Sequence, residues 1–141
     1  MDNSEKLLQE VYKNVKMGGD SIVDLLDRVN DDKFRGEMTA ELDSYRRYQN
    51  EASQRLGERG LKPKELTAME KLGAKMGMTF NTMLDATTSH LAEMMINGAT
   101  MGIVDLEKQL NDGGHSPEAK AFAEDVLNFE KSTVERLGNF L

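Results

Sequence analysis

The chain repeats itself. Three short strings recur at one spacing: "IVDL" at 22–25 and 103–106, "ND" at 30–31 and 111–112, and "RLG" at 55–57 and 136–138, each pair 81 residues apart (103 − 22, 111 − 30 and 136 − 55). Coincidence between similar amphipathic segments is the competing explanation. One ungapped register shared by three matches weighs against it and points to duplication of a unit that holds all three strings. Two copies of one unit must present matching apolar faces and bury them against each other.

Those faces are helical. Leu8, Val11, Val15, Ile22, Leu25 and Val29 follow one another at intervals of three, four or seven, which stacks them on one side of a helix. A second stripe runs through Phe34, Met38, Leu42, Tyr45, Ala52 and Leu56. A third runs through Ala92, Ile96, Ala99, Ile103, Leu106 and Leu110, and a fourth through Ala119, Phe122, Val126, Phe129, Thr133, Leu137 and Phe140. No stretch alternates with the period of a strand.

Punctuation fixes the connections. Ser116 followed by Pro117 reads as an N-cap and first-turn proline, and Gly113 and Gly114 end the segment before it. Pro63 reads the same way, as the opening of a helix. The stretch "GERGLKPKELTAMEKLGAKMGM" at 57–78 is too long for a hairpin turn. With a capping box from Thr67 to Glu70 starting a short helix, it has the length to cross back along the bundle.

Bulk properties exclude several function classes. The 141 residues suffice for one core. None is cysteine, which removes disulfides and thiolate chemistry and favours an intracellular, cytoplasmic setting. A net charge of −7 opposes attraction to phosphate, so nucleic acid is not an expected partner. The basic lean of Lys62, Lys64, Lys71 and Lys75 is diluted by Glu58, Glu65 and Glu70. No run approaches the ~20 apolar residues of a membrane span. Walker-type, dinucleotide and nucleophile-elbow patterns are all missing, and the reading leans away from an enzyme.

Two hairpins joined by a crossover is the plan of the ferritin-like superfamily, which the chain resembles over nearly its whole length. More narrowly, "EVYKNVKMGGDSIVDLL" and "SHLAEMMINGATMGIVDL" look like segments of small, uncharacterised bacterial proteins of that group. The resemblance implies an all-α, up-down-down-up four-helix bundle. It also raises a di-metal centre, built in such bundles from one glutamate on each of two helices and a Glu-x-x-His pair on each of the others.

The chain departs from that ligand pattern. Its two histidines are His90, in the reversed order His-x-x-Glu with Glu93, and His115 in the glycine-rich turn. With Ala92, Ile96, Ala99 and Ile103 facing inward, and Leu91, Met95 and Gly98 widening that face, His90, Glu93 and Asn97 point outward at about 100° per residue. Counting from the turns puts Asn14, Gln49, Met95 and Glu130 at one level. The duplication pairs Asn14 with Met95 and Gln49 with Glu130, so the level where metal would sit holds one carboxylate. A core polar layer of Asn14, Gln49 and Glu130 that fixes helix register is the structural reading. The metal reading needs Glu10, Glu41 and Glu130 to converge, with Asp85 able to lean inward beside them, and would take iron or manganese.

Ten methionines read mainly as core filler. Met94 and Met101 are exceptions, because they share the outward face of the third helix with His90, Glu93 and Asn97. That face is the expected interface. Gly18, Gly19, Gly98 and Gly102 interrupt helices at a cost of ~1 kcal/mol each relative to alanine, and are expected to mark close packing.

The sequence thus predicts one domain over 1–141, with hairpin 1 at 3–57, a crossover at 58–78 and hairpin 2 at 79–141. It is expected to be a homodimer with a structural or protein-interaction role, with no cofactor and no membrane partner. The alternative is a ferritin-like protein with a carboxylate-rich iron or manganese site acting on dioxygen, peroxide or stored iron.

Overall fold

A computed structural model describes residues 2–66 and 85–141. Four helices make up nearly all of it: α1 (Asn3–Leu25), α2 (Asp32–Glu58), α3 (Thr88–Asp112) and α4 (Pro117–Leu137). Short 3-10 turns follow α1 at Leu26–Arg28 and α4 at Gly138–Phe140. The helices pack as two hairpins, α1 with α2 and α3 with α4, and residues 59–87 connect α2 to α3.

Each helix begins where a side chain can take up its free backbone N–H groups. Asp2 and Glu5 form a reciprocal capping box on α1. Asp31 accepts from the Phe34 amide, Thr87 from that of His90 and Ser116 from that of Ala119. Pro117 occupies the first turn of α4, as its fixed φ favours. Gly113 and Gly114 take φ of +70° and +74°, a left-handed conformation that makes the α3–α4 turn tight.

Polar ties hold the ends of the helices together. At one end, the Asn3 amide donates to the Gly113 carbonyl at 2.7 Å, and the Ser116 amide donates to Ser4 Oγ at 2.7 Å. Arg59, just past α2, reaches Ser116 Oγ at 3.2 Å. At the other end Arg136 of α4 pairs with Glu37 of α2, and Phe140 packs edge-on against Phe34.

The first stripe is buried throughout, and so are the second except Leu42 and the fourth except Phe129 and Phe140. The third is rotated from its expected setting. Leu91, Met95, Gly102 and Leu106 lie at its buried centre, while Ile96, Ile103 and Leu110 are only half-buried. Gly102 lies within this buried face, where its missing side chain leaves room for the tips of Asn14 and Glu130.

Pro63 does not open a helix. Residues 61–66 have no helical structure, and the side-chain amide of Gln9 on α1 clasps them, donating to the Lys62 carbonyl at 3.0 Å and accepting from the Lys64 amide at 2.9 Å. The backbone polar groups on either side of the proline are satisfied by this clasp. The expected capping box at Thr67 and Glu70 and its short helix lie outside the described residues, as do Lys71 and Lys75.

Candidate functional site

The bundle interior carries two carboxyl groups. Glu41 of α2 falls three residues after Met38 and four before Tyr45, on the apolar stripe itself, and Glu130 of α4 lies between the buried Val126 and Thr133. Each is 1 % exposed, and no hydrogen-bond partner reaches either oxygen of either group as a carboxylate. Burying such charge unpaired is very unfavourable, and the usual escape is to keep the proton.

Their surroundings bear this out. Burial raises the Glu41 carboxyl to about 9, helped by the neighbouring Glu37 and opposed by Arg136. Carrying its proton, Glu41 donates to the Glu37 carboxylate, which in turn accepts from Arg136 Nε at 3.1 and 3.3 Å. Burial likewise raises Glu130 to about 8, with the negative charges of Asp105 and Glu10 adding to it. Between the two acids stands Tyr45, whose phenol is raised well above 10 by burial and then by Glu130 and Glu41. Its ring packs edge-on against Phe129 with centroids 5.0 Å apart.

Glu130 reaches across to α1 at a glycine. A methyl group placed on Gly102 would lie 2.3 Å from Asn14 Oδ1 and 2.9 Å from Glu130 Oε2, so the two polar tips meet in the space a side chain would fill. Asn14 Nδ2 donates to the Gly102 carbonyl at 2.9 Å, which ties its amide to the α3 backbone beside Glu130. Gly102→Ala must displace the Asn14 amide and break that bond. Its expected cost is about 1–3 kcal/mol, read as a lower urea midpoint. In an Asn14→Ala background the same change should cost less, Glu130 Oε2 being the one close neighbour left, and an equal loss in both backgrounds would refute this account.

The remaining sequence candidates fall elsewhere. Gln49 is half-buried; its Oε1 accepts from Arg46 at 2.7 Å, its Nε2 is 3.5 Å from Tyr12 Oη, and no hydrogen bond joins it to Glu130. Met95 is buried. Glu10 is paired with Lys13 at 3.1 Å. Asp85 is exposed and accepts from the Thr87 amide at 2.9 Å, a bond that is the chief reason its carboxyl is lowered. His115 is half-buried in the α3–α4 turn.

The donor set does not fit a di-metal centre. Among the described residues no three histidine, aspartate or glutamate side chains are grouped to hold a metal ion. The charge of Glu10 acts on Glu130, whereas Glu41 belongs with Glu37 and Arg136. What the interior can do is hold protons and fix helix positions.

On the outside of α3, His90 and Met94 are half-buried, Glu93 and Asn97 are exposed, and Met101 is 69 % exposed. His90 Nδ1 lies 3.8 Å from Glu93. Val104, 43 % exposed, extends this row three residues beyond Met101. Val104 has no role in the sequence reading, although its neighbour Ile103 on the inward stripe leaves it about 100° away from that stripe.

No family model matches the sequence, and no curated protein matches it. Among solved structures the chain is similar to the crystal structure of a DUF305 fragment from Deinococcus radiodurans, with a TM-score of 0.74, 14 % identity, and coverage of 99 % of this chain and 95 % of that one. At that identity the likeness is one of fold. No described helix is long and apolar enough to cross a membrane.

Proposed function

We propose that the chain is a ferritin-like, up-down-down-up bundle that has become a structural or protein-interaction module and works as a homodimer through the outer face of α3. The end ties support the topology: the start of α1 meets the end of α3, and the end of α4 meets the start of α2. The exposure of Met101 is the observation that carries the functional reading. With Leu91, Met95, Gly102 and Leu106 buried, about 100° per residue brings His90, Asn97, Met101 and Val104 round to the opposite side. A thioether and an isopropyl group in water on one helical row suit a partner better than solvent.

Light scattering across a concentration series tests this. The wild-type chain is expected to approach twice the mass of its 15.8 kDa monomer, and Met101→Asp to remain monomeric with unchanged helical circular dichroism. A wild-type monomer at every concentration would remove the homodimer.

A further inference from the structure

The outer row of α3 is complementary to itself in one direction only, and this inference rests on the homodimer reading above. We propose that two copies pair their α3 helices antiparallel about a two-fold axis that passes between Thr100 and Met101. Such an axis sets Thr100 opposite Met101 of the second copy, Asn97 opposite Val104 and Glu93 opposite Lys108. All six are on exposed positions of the helix. The exposed Met101 and Val104 then lie near the centre beside the uncharged Thr100 and Asn97, and the ends carry opposite charges. The symmetry repeats every contact, giving two Glu93–Lys108 pairs per dimer.

A parallel pairing fails on charge. It would set Glu93 against Glu93, Asp105 against Asp105 and Lys108 against Lys108, which repel. The antiparallel arrangement also limits the crossing angle. Glu93 and Lys108 lie roughly 11 Å along the helix from the axis, at ~1.5 Å per residue. They can meet only if the helices cross shallowly, at about 20°, rather than at about 50°. The contact from a single helix is small, on the order of 400 Å² per copy, so a dissociation constant in the micromolar range is expected.

Charge exchange with sedimentation equilibrium tests the geometry, and the two changed residues are exposed, so folding is not at risk. Glu93→Lys alone should weaken self-association about ten-fold, since two attractive pairs become repulsive. Glu93→Lys combined with Lys108→Glu should return it to within about three-fold of wild type. Met101→Cys, the sole cysteine in such a chain, should form an interchain disulfide under mild oxidation, because residues beside the axis come within the roughly 4.4–6.8 Å that a disulfide spans. Self-association that ignores the exchange and leaves the cysteine uncrosslinked would overturn this axis while leaving the homodimer standing. Absence of any wild-type self-association up to about 1 mM, where millimolar binding is already weak, would overturn both.

Discussion

Gly18→Leu is expected to lower the stability of the bundle by about 3 kcal/mol or more, read as a urea midpoint far below wild type. Even a single carbon at this position would lie 2.6 Å from Cε1 and Cζ of Tyr45. Unlike the tips of Asn14 and Glu130 at Gly102, the ring is a rigid buried plate. It is 2 % exposed and packs edge-on against Phe129, so moving it would disturb the surrounding core. Glycine is otherwise the poorer helix former by ~1 kcal/mol, which makes Gly36→Ala the informative control. No atom comes within 4 Å of a methyl group there, and that change should raise stability slightly. Truncating the ring supplies the second check. In a Tyr45→Ala background Gly18→Leu should cost much less, with a coupling of about 1–3 kcal/mol. Equal costs in both backgrounds would show that the ring is not what keeps position 18 small.

Apolar periodicity and helix punctuation were enough to place the helices, because both act locally. Ser116–Pro117 and Gly113–Gly114 are read from a few neighbouring residues, and the structure uses them as caps and turn. Which flank of a helix goes deepest is not local. On α3 it depends on Asn14 and Glu130 entering the space beside Gly102, and that space exists only after α1 and α4 have come together. The same limit applies to the glycines: spacing marked Gly18 as a site of close approach, but its neighbour proved to be a ring from α2 rather than a backbone. Pro63 misled for a related reason, since the Gln9 clasp that keeps its flanks extended comes from a residue more than 50 positions away.

The duplication shows where symmetry of sequence stops short of symmetry of chemistry. Arg55 and Arg136 occupy equivalent places in the two "RLG" strings. Arg55 lies over the Phe122 ring at 4.7 Å and pairs with Glu51 in the next turn of its own helix. Arg136 instead crosses to α2 to hold Glu37, and through it the proton of Glu41. Position 41 answers to Phe122 in the second hairpin, so one copy keeps an aromatic ring where the other keeps an acid. No repeat-based reading of the sequence can decide between those two, and the acid was legible only as one member of a candidate carboxylate cluster with Glu10 and Glu130.

That acid gives the protein an unusual dependence on pH. An unfolded glutamate ionises near 4.5, whereas folding holds the proton of Glu130 up to about 8 and that of Glu41 up to about 9. Between those limits the folded chain binds more protons than the unfolded one, so stability must fall as pH rises. The contribution is fully present below about 4.5 and is lost as pH passes through 8 and 9. By pH 7 each group has cost about 3 kcal/mol, at ~1.4 kcal/mol per unit. Glu41→Gln keeps a donor for Glu37 and removes the titration. It is therefore expected to be more stable than wild type by about 3 kcal/mol at pH 7, by more at pH 9, and by little at pH 4.5. Glu41→Gln combined with Glu130→Gln should flatten most of the slope between pH 5 and 9. Urea unfolding at three pH values measures it. A wild-type slope that survives both substitutions would mean that the two acids are ionised in the folded chain, and the hydrogen bond from Glu41 to Glu37 would have to be abandoned with its proton.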